Sequence, residues 1–135
     1  MRVLLDTHIF LWLQTAPERL GDHLGLAENP TTELLVSAVT SWEIAIKYAL
    51  GRLDLPEPPS RYVPDRISRI SGTPIPVEHH DTLAVADLPL IHRDPFDRLL
   101  VAQARHLSVP LLTADATVSA YPVDTLLVGD HDPGR

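Results

Sequence analysis

Residues 92–100 (HRDPFDRLL) place two carboxylates three positions apart around a proline. Asp-Pro-x-Asp is a helix start. Asp94 is suited to cap the first free amides, Pro95 fits the first helical position, and Asp97 falls in the first turn, where the helix dipole favours an anion. That accounts for both acids in isolation. It stops being sufficient if other acids point at the same spot, because crowded carboxylates raise one another's pKa until a cation neutralises them. The usual neutraliser of an all-oxygen set is a hard divalent ion, Mg²⁺ or Mn²⁺, and an ion held in this way activates water.

Three further acids are placed to join them. Asp6 directly follows the apolar run Arg2–Leu5, Glu43 lies in the first turn of the helix after a second apolar run, and Asp115 comes just past the run VPLLT. Two of them have a plain structural use. Thr40-x-x-Glu43 reads as a capping box, Glu43 can pair with Lys47 four residues on, and Asp115 can cap a short helix. Asp6, at the mouth of the first strand, has no such partner. The seven histidines form no spaced metal motif. His8 and His92 lie near the acids, and a surface or supporting role is expected of them. Trp12 and Trp42 are expected in the core. Arg93, Arg98 and Arg105 are expected on a solvated face, from which Arg93 and Arg98 can reach a phosphate or a partner.

The elements that must position these acids follow from the periodicity. Strands are predicted at 2–5, 33–38, 73–77, 109–113 and 123–128, and the alternating prolines of TPIPV make the third one short or place it at an edge. Helices are predicted at 8–13, 23–28, 65–70, 78–87, 95–106 and 115–120. Another runs from Thr40 with Trp42, Ala45, Ile46, Ala49, Leu50 and Leu53 on one face, and a proline-rich loop at 54–64 follows it. Strands that read as continuous apolar runs and alternate with helices predict a mostly parallel sheet covered on both faces, a three-layer α/β/α sandwich. Ligands of such folds sit beyond the carboxyl ends of the strands, and Asp6, Glu43, Asp94, Asp97 and Asp115 all fall at that edge.

Composition bounds the alternatives. A chain of 135 residues, 44% of them hydrophobic, is read as one domain at 1–129 with a polar tail at 130–135. There is no cysteine, which excludes a disulfide framework and a thiolate metal site. No apolar run approaches the ~20 residues of a membrane span, and a strand-like run starts at once, so a cytoplasmic protein is expected. The net charge of −7 argues against a broad basic surface for nucleic acid, although an ion among the acids would reverse the local sign. A phospho-accepting receiver domain also carries acids at strand ends. It requires a lysine near the end of the sheet, whereas the single lysine, Lys47, lies on the helix after the second strand.

Four blocks, MRVLLDTHIFLW (1–12), SAVTSWEIAIKYALGRL (37–53), IHRDPFDRLLVAQA (91–104) and LLTADATV (111–118), together resemble PIN-domain toxins of the VapC family, in order and at the family's spacing. The resemblance covers essentially the whole chain. It implies that Asp6, Glu43, Asp97 and Asp115 surround one or two Mg²⁺ or Mn²⁺ ions, with Asp94 belonging to the HxDPFDR variant of one branch. It also implies that Thr113 is a family Ser/Thr that helps position water. The implied activity is an endoribonuclease that attacks RNA phosphodiesters in line, with tRNA or rRNA as typical substrates. The implied partners are a second copy in a homodimer and a VapB-like antitoxin of a type II toxin–antitoxin system. A non-catalytic member that binds RNA or a partner without cutting is the remaining alternative.

Overall fold

The computed structural model describes residues 1–129, so the polar tail read at 130–135 lies outside it. Five strands, β1 (Arg2–Leu5), β2 (Glu33–Ser37), β3 (Thr73–Ile75), β4 (Leu111–Thr113) and β5 (Thr125–Leu127), form one sheet in the order β3-β2-β1-β4-β5. Every neighbouring pair is parallel, with Leu4 level with Leu35 and Leu111 across the three central strands. β3, with Pro74 in it, lies at the edge, where a missing N–H leaves no gap in a ladder.

Alternation along the strands sends side chains to two apolar layers. Val3, Leu5, Leu34, Val36 and Leu112 pack with Ile9, Phe10, Leu20, Tyr62, Val63 and Ile67. These come from α1 (Thr7–Thr15), the 3₁₀ segment Pro17–His23 and α4 (Pro59–Arg69), with α2 (Leu24–Glu28) adding partly buried Leu24, Leu26 and Ala27. On the other face Leu4, Leu35 and Leu111 pack with Leu100, Val101 and Ala104 of α6 (Pro95–Leu107), beside α5 (His79–Ala84) and the 3₁₀ turn Val85–Asp87. The α/β/α sandwich is as the sequence predicts, and its sheet is wholly parallel.

Two elements differ from expectation. α4 begins at Pro59, inside the stretch read as loop, and carries Pro64 in its interior. Burial of Tyr62, Val63 and Ile67 against the sheet outweighs the hydrogen bond that Pro64 cannot make. α3 (Ala38–Ala49) begins two residues before Thr40, capped by Ser37, whose hydroxyl accepts from the Val39 amide at 3.0 Å. Thr40 is therefore no cap and forms no capping box with Glu43. The buried residues of α3 are Val39, Thr40, Glu43 and Ile44, while Trp42 is 54% and Leu50 61% exposed. The apolar stripe expected to face inward thus faces largely outward. Trp42 meets Phe96 edge to face at 5.0 Å, and Trp12 is half-buried beneath Arg19.

Candidate active site

The chain winds from β1 outward to β3, then crosses to β4 on the other side of β1, so the sheet's switch point lies between β1 and β4. Asp6 directly follows β1 and Thr113 closes β4, and these ends are tied together: the Asp6 amide donates to the Leu112 carbonyl at 3.0 Å. Asp6, 4% exposed, caps α1 by accepting from the Ile9 amide at 3.1 Å, and its other oxygen accepts from the Thr113 hydroxyl. The partner that the sequence could not supply for Asp6 is thus a threonine 107 residues away. Thr113 is wholly buried, and its oxygen in turn accepts from the Asp115 amide at 3.1 Å. One hydroxyl therefore sets the direction of Asp6 and the path of the chain into Asp115.

Glu43 enters from α3 and is 3% exposed. Thr7 donates to one of its oxygens at 2.7 Å and Lys47 pairs with the other. Asp94 caps α6, accepting from the amides of Phe96 (2.8 Å) and Asp97 (3.4 Å). Asp97 projects from the first turn of that helix, and Asp115 accepts from the Thr117 amide at 2.9 Å in a tight turn before the 3₁₀ segment Val118–Ala120.

The electrostatics bring these acids into one neighbourhood. Burial, reinforced by the charges of Asp94 and Asp6 and more weakly by Glu43, pushes the Asp97 carboxyl up to about 7, against the pull of His92. Burial also raises Asp6, more than the Thr113 and Ile9 hydrogen bonds lower it. Burial acts upward on Asp115 too, but the Thr117 amide and His92 outweigh it and hold that carboxyl below its ordinary value.

His92, given only a supporting role by the sequence, stands at the centre. Its Nε2 lies 3.2 Å from Asp97 and 3.0 Å from Asp115. Among the described residues these three form the group of metal-type side chains whose ligand atoms fall within 4.8 Å of one another. The sequence signal was a histidine two residues before a helix-capping aspartate, too common a pattern to single out. Arg98 departs from expectation: it is 9% exposed, not solvated, and its guanidinium donates to the carbonyls of Pro89 (2.9 Å) and Val85 (3.1 Å) and to the Tyr121 hydroxyl.

The donor set fits a hard divalent cation. It is made of carboxylate oxygens at the switch point of a parallel sheet, where burial and then the neighbouring charges of Asp94 and Asp6 raise the Asp97 carboxyl, a setting that favours an added cation. Fold and site together define a doubly wound α/β protein with an acidic centre of the kind that binds metal. The PIN domain family profile matches residues 3–123, and the chain belongs to that family. The resemblance read from the four sequence blocks is borne out, and the receiver-domain alternative is set aside. The chain is 39% identical over 67 residues to Ribonuclease VapC16 of Mycobacterium tuberculosis (strain ATCC 25618 / H37Rv), a match spanning 50% of this chain and 48% of that protein. The fold is similar to VapBC2 from Rickettsia felis bound to a DNA fragment from their promoter, with TM-score 0.68 and 17% identity, covering 96% of this chain and 100% of that one. DNA-bound VapBC from Salmonella typhimurium gives TM-score 0.68 at 16% identity, covering 96% and 99%.

Proposed function

We propose that residues 1–129 form one catalytic unit, the toxin of a type II toxin–antitoxin pair, which hydrolyses RNA phosphodiesters with Mg²⁺ or Mn²⁺ held among Asp6, Glu43, Asp97 and Asp115. The observation that carries this reading is the meeting of Asp97 and Asp115 around His92, with ligand atoms within 4.8 Å of one another, at the sheet edge where Asp6 also lies. The bound ion would supply an activated water and offset the charge that builds on the phosphorus oxygens during in-line attack. Asp97 and Asp115 offer it the most open carboxylates. Asp6 is aimed by Thr113 and the Ile9 amide. Glu43, with both oxygens already accepting, acts through water. Thr113 serves as the orienter of Asp6, in place of the water-positioning role the family resemblance implies. Asp94 aims α6 as its cap. Lys47, paired with Glu43, and the exposed Arg93, next to His92 in the chain, are candidate cations for substrate phosphate.

The similar relative is a ribonuclease, and the similar structures are of VapBC, which supports RNA as substrate, with tRNA or rRNA as the class, and a VapB-like antitoxin as partner. A groove of about 830 Å³ between α3 and α4, walled by Ala45, Val63, Pro64 and Ile67, supports a protein partner, either the antitoxin or a second copy in a homodimer. Among the described residues no helix is long and apolar enough to cross a membrane, and a cytoplasmic site of action fits an RNA substrate. The test is cleavage of structured tRNA and rRNA with Mg²⁺ or Mn²⁺. Cleavage is expected to stop with EDTA and to fall at least about 100-fold in Asp6→Asn and Asp97→Asn. Cleavage that survives both chelation and substitution overturns the reading.

A further inference from the structure

His92 has the position of a metal ligand and the hydrogen bonding of something else. Its Nδ1 lies 3.1 Å from the backbone N–H of Asp94. An amide can only donate, so Nδ1 must accept, and the neutral ring carries its proton on Nε2. Nε2 is therefore a donor. It donates to Asp115 Oδ2 at 3.0 Å and stands 3.2 Å from Asp97 Oδ2. A histidine that ligates a metal through Nε2 presents a lone pair there and protonates Nδ1, donating it to a carbonyl or carboxylate. The Asp94 amide blocks that arrangement.

The backbone of His92 is fixed as firmly as its ring. The Tyr121 hydroxyl accepts from the His92 N–H at 2.7 Å and donates to the His92 carbonyl at 3.3 Å. Arg98 holds that hydroxyl at 3.2 Å while anchoring the loop through Pro89. Tyr121 is 3% exposed and Arg98 9%. Two buried side chains thus clamp one residue of an irregular loop, and that residue bridges two carboxylates that arrive from different elements and repel each other.

We propose that His92 is a positioning residue and not a metal ligand: its Nε2–H, locked by the Asp94 amide and clamped through Tyr121 and Arg98, holds Asp97 and Asp115 side by side at the proposed ion site. This rests on the metal-centre reading above and identifies what sets the spacing of that centre. Loss of such an outer partner typically weakens metal affinity 10- to 100-fold.

The test uses the full chain and needs no RNA. Proton–nitrogen correlation spectra of the His92 ring, without metal and with saturating Mg²⁺, are expected to show a protonated Nε2 and an unprotonated Nδ1 in both. Loss of the Nε2 proton on adding Mg²⁺ makes His92 a ligand and overturns the proposal. Calorimetric titration with Mn²⁺ is expected to give a 10- to 100-fold weaker Kd for His92→Ala, with most of the affinity restored in His92→Gln, whose amide keeps an N–H near Nε2. Tyr121→Phe, which keeps the buried ring, is expected to weaken binding about threefold alone and to add nothing in the His92→Ala background. Unchanged affinity in His92→Ala, or additive effects of the two substitutions, overturns the clamp. Wild-type protein that binds no divalent ion overturns the proposal together with the metal centre, whereas intact binding without RNA cleavage overturns only the nuclease reading.

Discussion

In the proposed metal centre Asp97 would serve two competitors, a proton and a cation, and burial bears on both. With its carboxyl pushed up to about 7, metal binding near pH 6 must displace about one proton. The apparent affinity for Mn²⁺ is therefore expected to fall about tenfold per pH unit below pH 7 and to level off above it. Calorimetry in buffers of different ionisation heat reads the proton release directly, and a pH-independent Kd contradicts it. Without metal the sign reverses. Between the ordinary carboxyl value of 3.8 and about 7 the folded chain holds a proton that the unfolded chain has released, so stability falls as pH rises through that window. Asp97→Asn removes the repelling charge while keeping the shape, and is expected to raise the metal-free Tm at pH 7.5 by about 4 °C, equivalent to about 1 kcal/mol, while cutting activity. At this scale the acids themselves were legible, because an aspartate directly after an apolar strand has few structural uses. His92, Thr113 and Tyr121 were not. Their roles depend on contacts across 23, 107 and 29 residues, which no local spacing encodes.

Each helix that carries an acid is set by its first residue. Ser37 caps α3 and also donates to Gln103 Oε1, whose amide continues to the Pro76 carbonyl (2.9 Å) and Asp81 (3.2 Å), so one hydroxyl joins the end of β2 to α6. Ser37→Ala removes the cap and leaves a buried amide oxygen short of a donor, a loss of about 2–3 kcal/mol expected in urea unfolding. At the other end of α6, Ser108 sits at φ 54°, the left-handed region that favours glycine. Ser108→Gly is expected to stabilise by up to about 1 kcal/mol in the same measurement, and a destabilisation would show that the serine hydroxyl matters more than the backbone strain. The α6 start was legible because Asp-Pro is a strong and local signal. The α3 start was not, because Ser37 and Thr40 both suit a cap, and the choice between them came from β2 ending at Ser37. The inward face of α3 was misread for a related reason. That helix has apolar residues on both sides, and the side turned inward includes Thr40 and Glu43, which the site requires there.

At the scale of the whole molecule, that outward stripe matters. Trp42, Ala45 and Leu50 leave an apolar surface beside the α3–α4 groove. If the groove seats a second copy, Ala45→Arg is expected to shift the protein from dimer to monomer in sedimentation with the helical content unchanged. A dimer that persists leaves the groove to the antitoxin. The sheet topology was legible in outline because five apolar runs separated by helices leave little choice but a parallel sheet. The wholly parallel pairing and the central place of β1 needed the three-dimensional packing. That central place has a consequence for synthesis. β1 is made first, yet one of its two neighbours is β4, and Asp6 meets Thr113 only when that strand docks. Pairings this distant in sequence form late. The acidic centre is therefore complete only once residues 94–115 have been made and β4 has docked beside the strand that was made first.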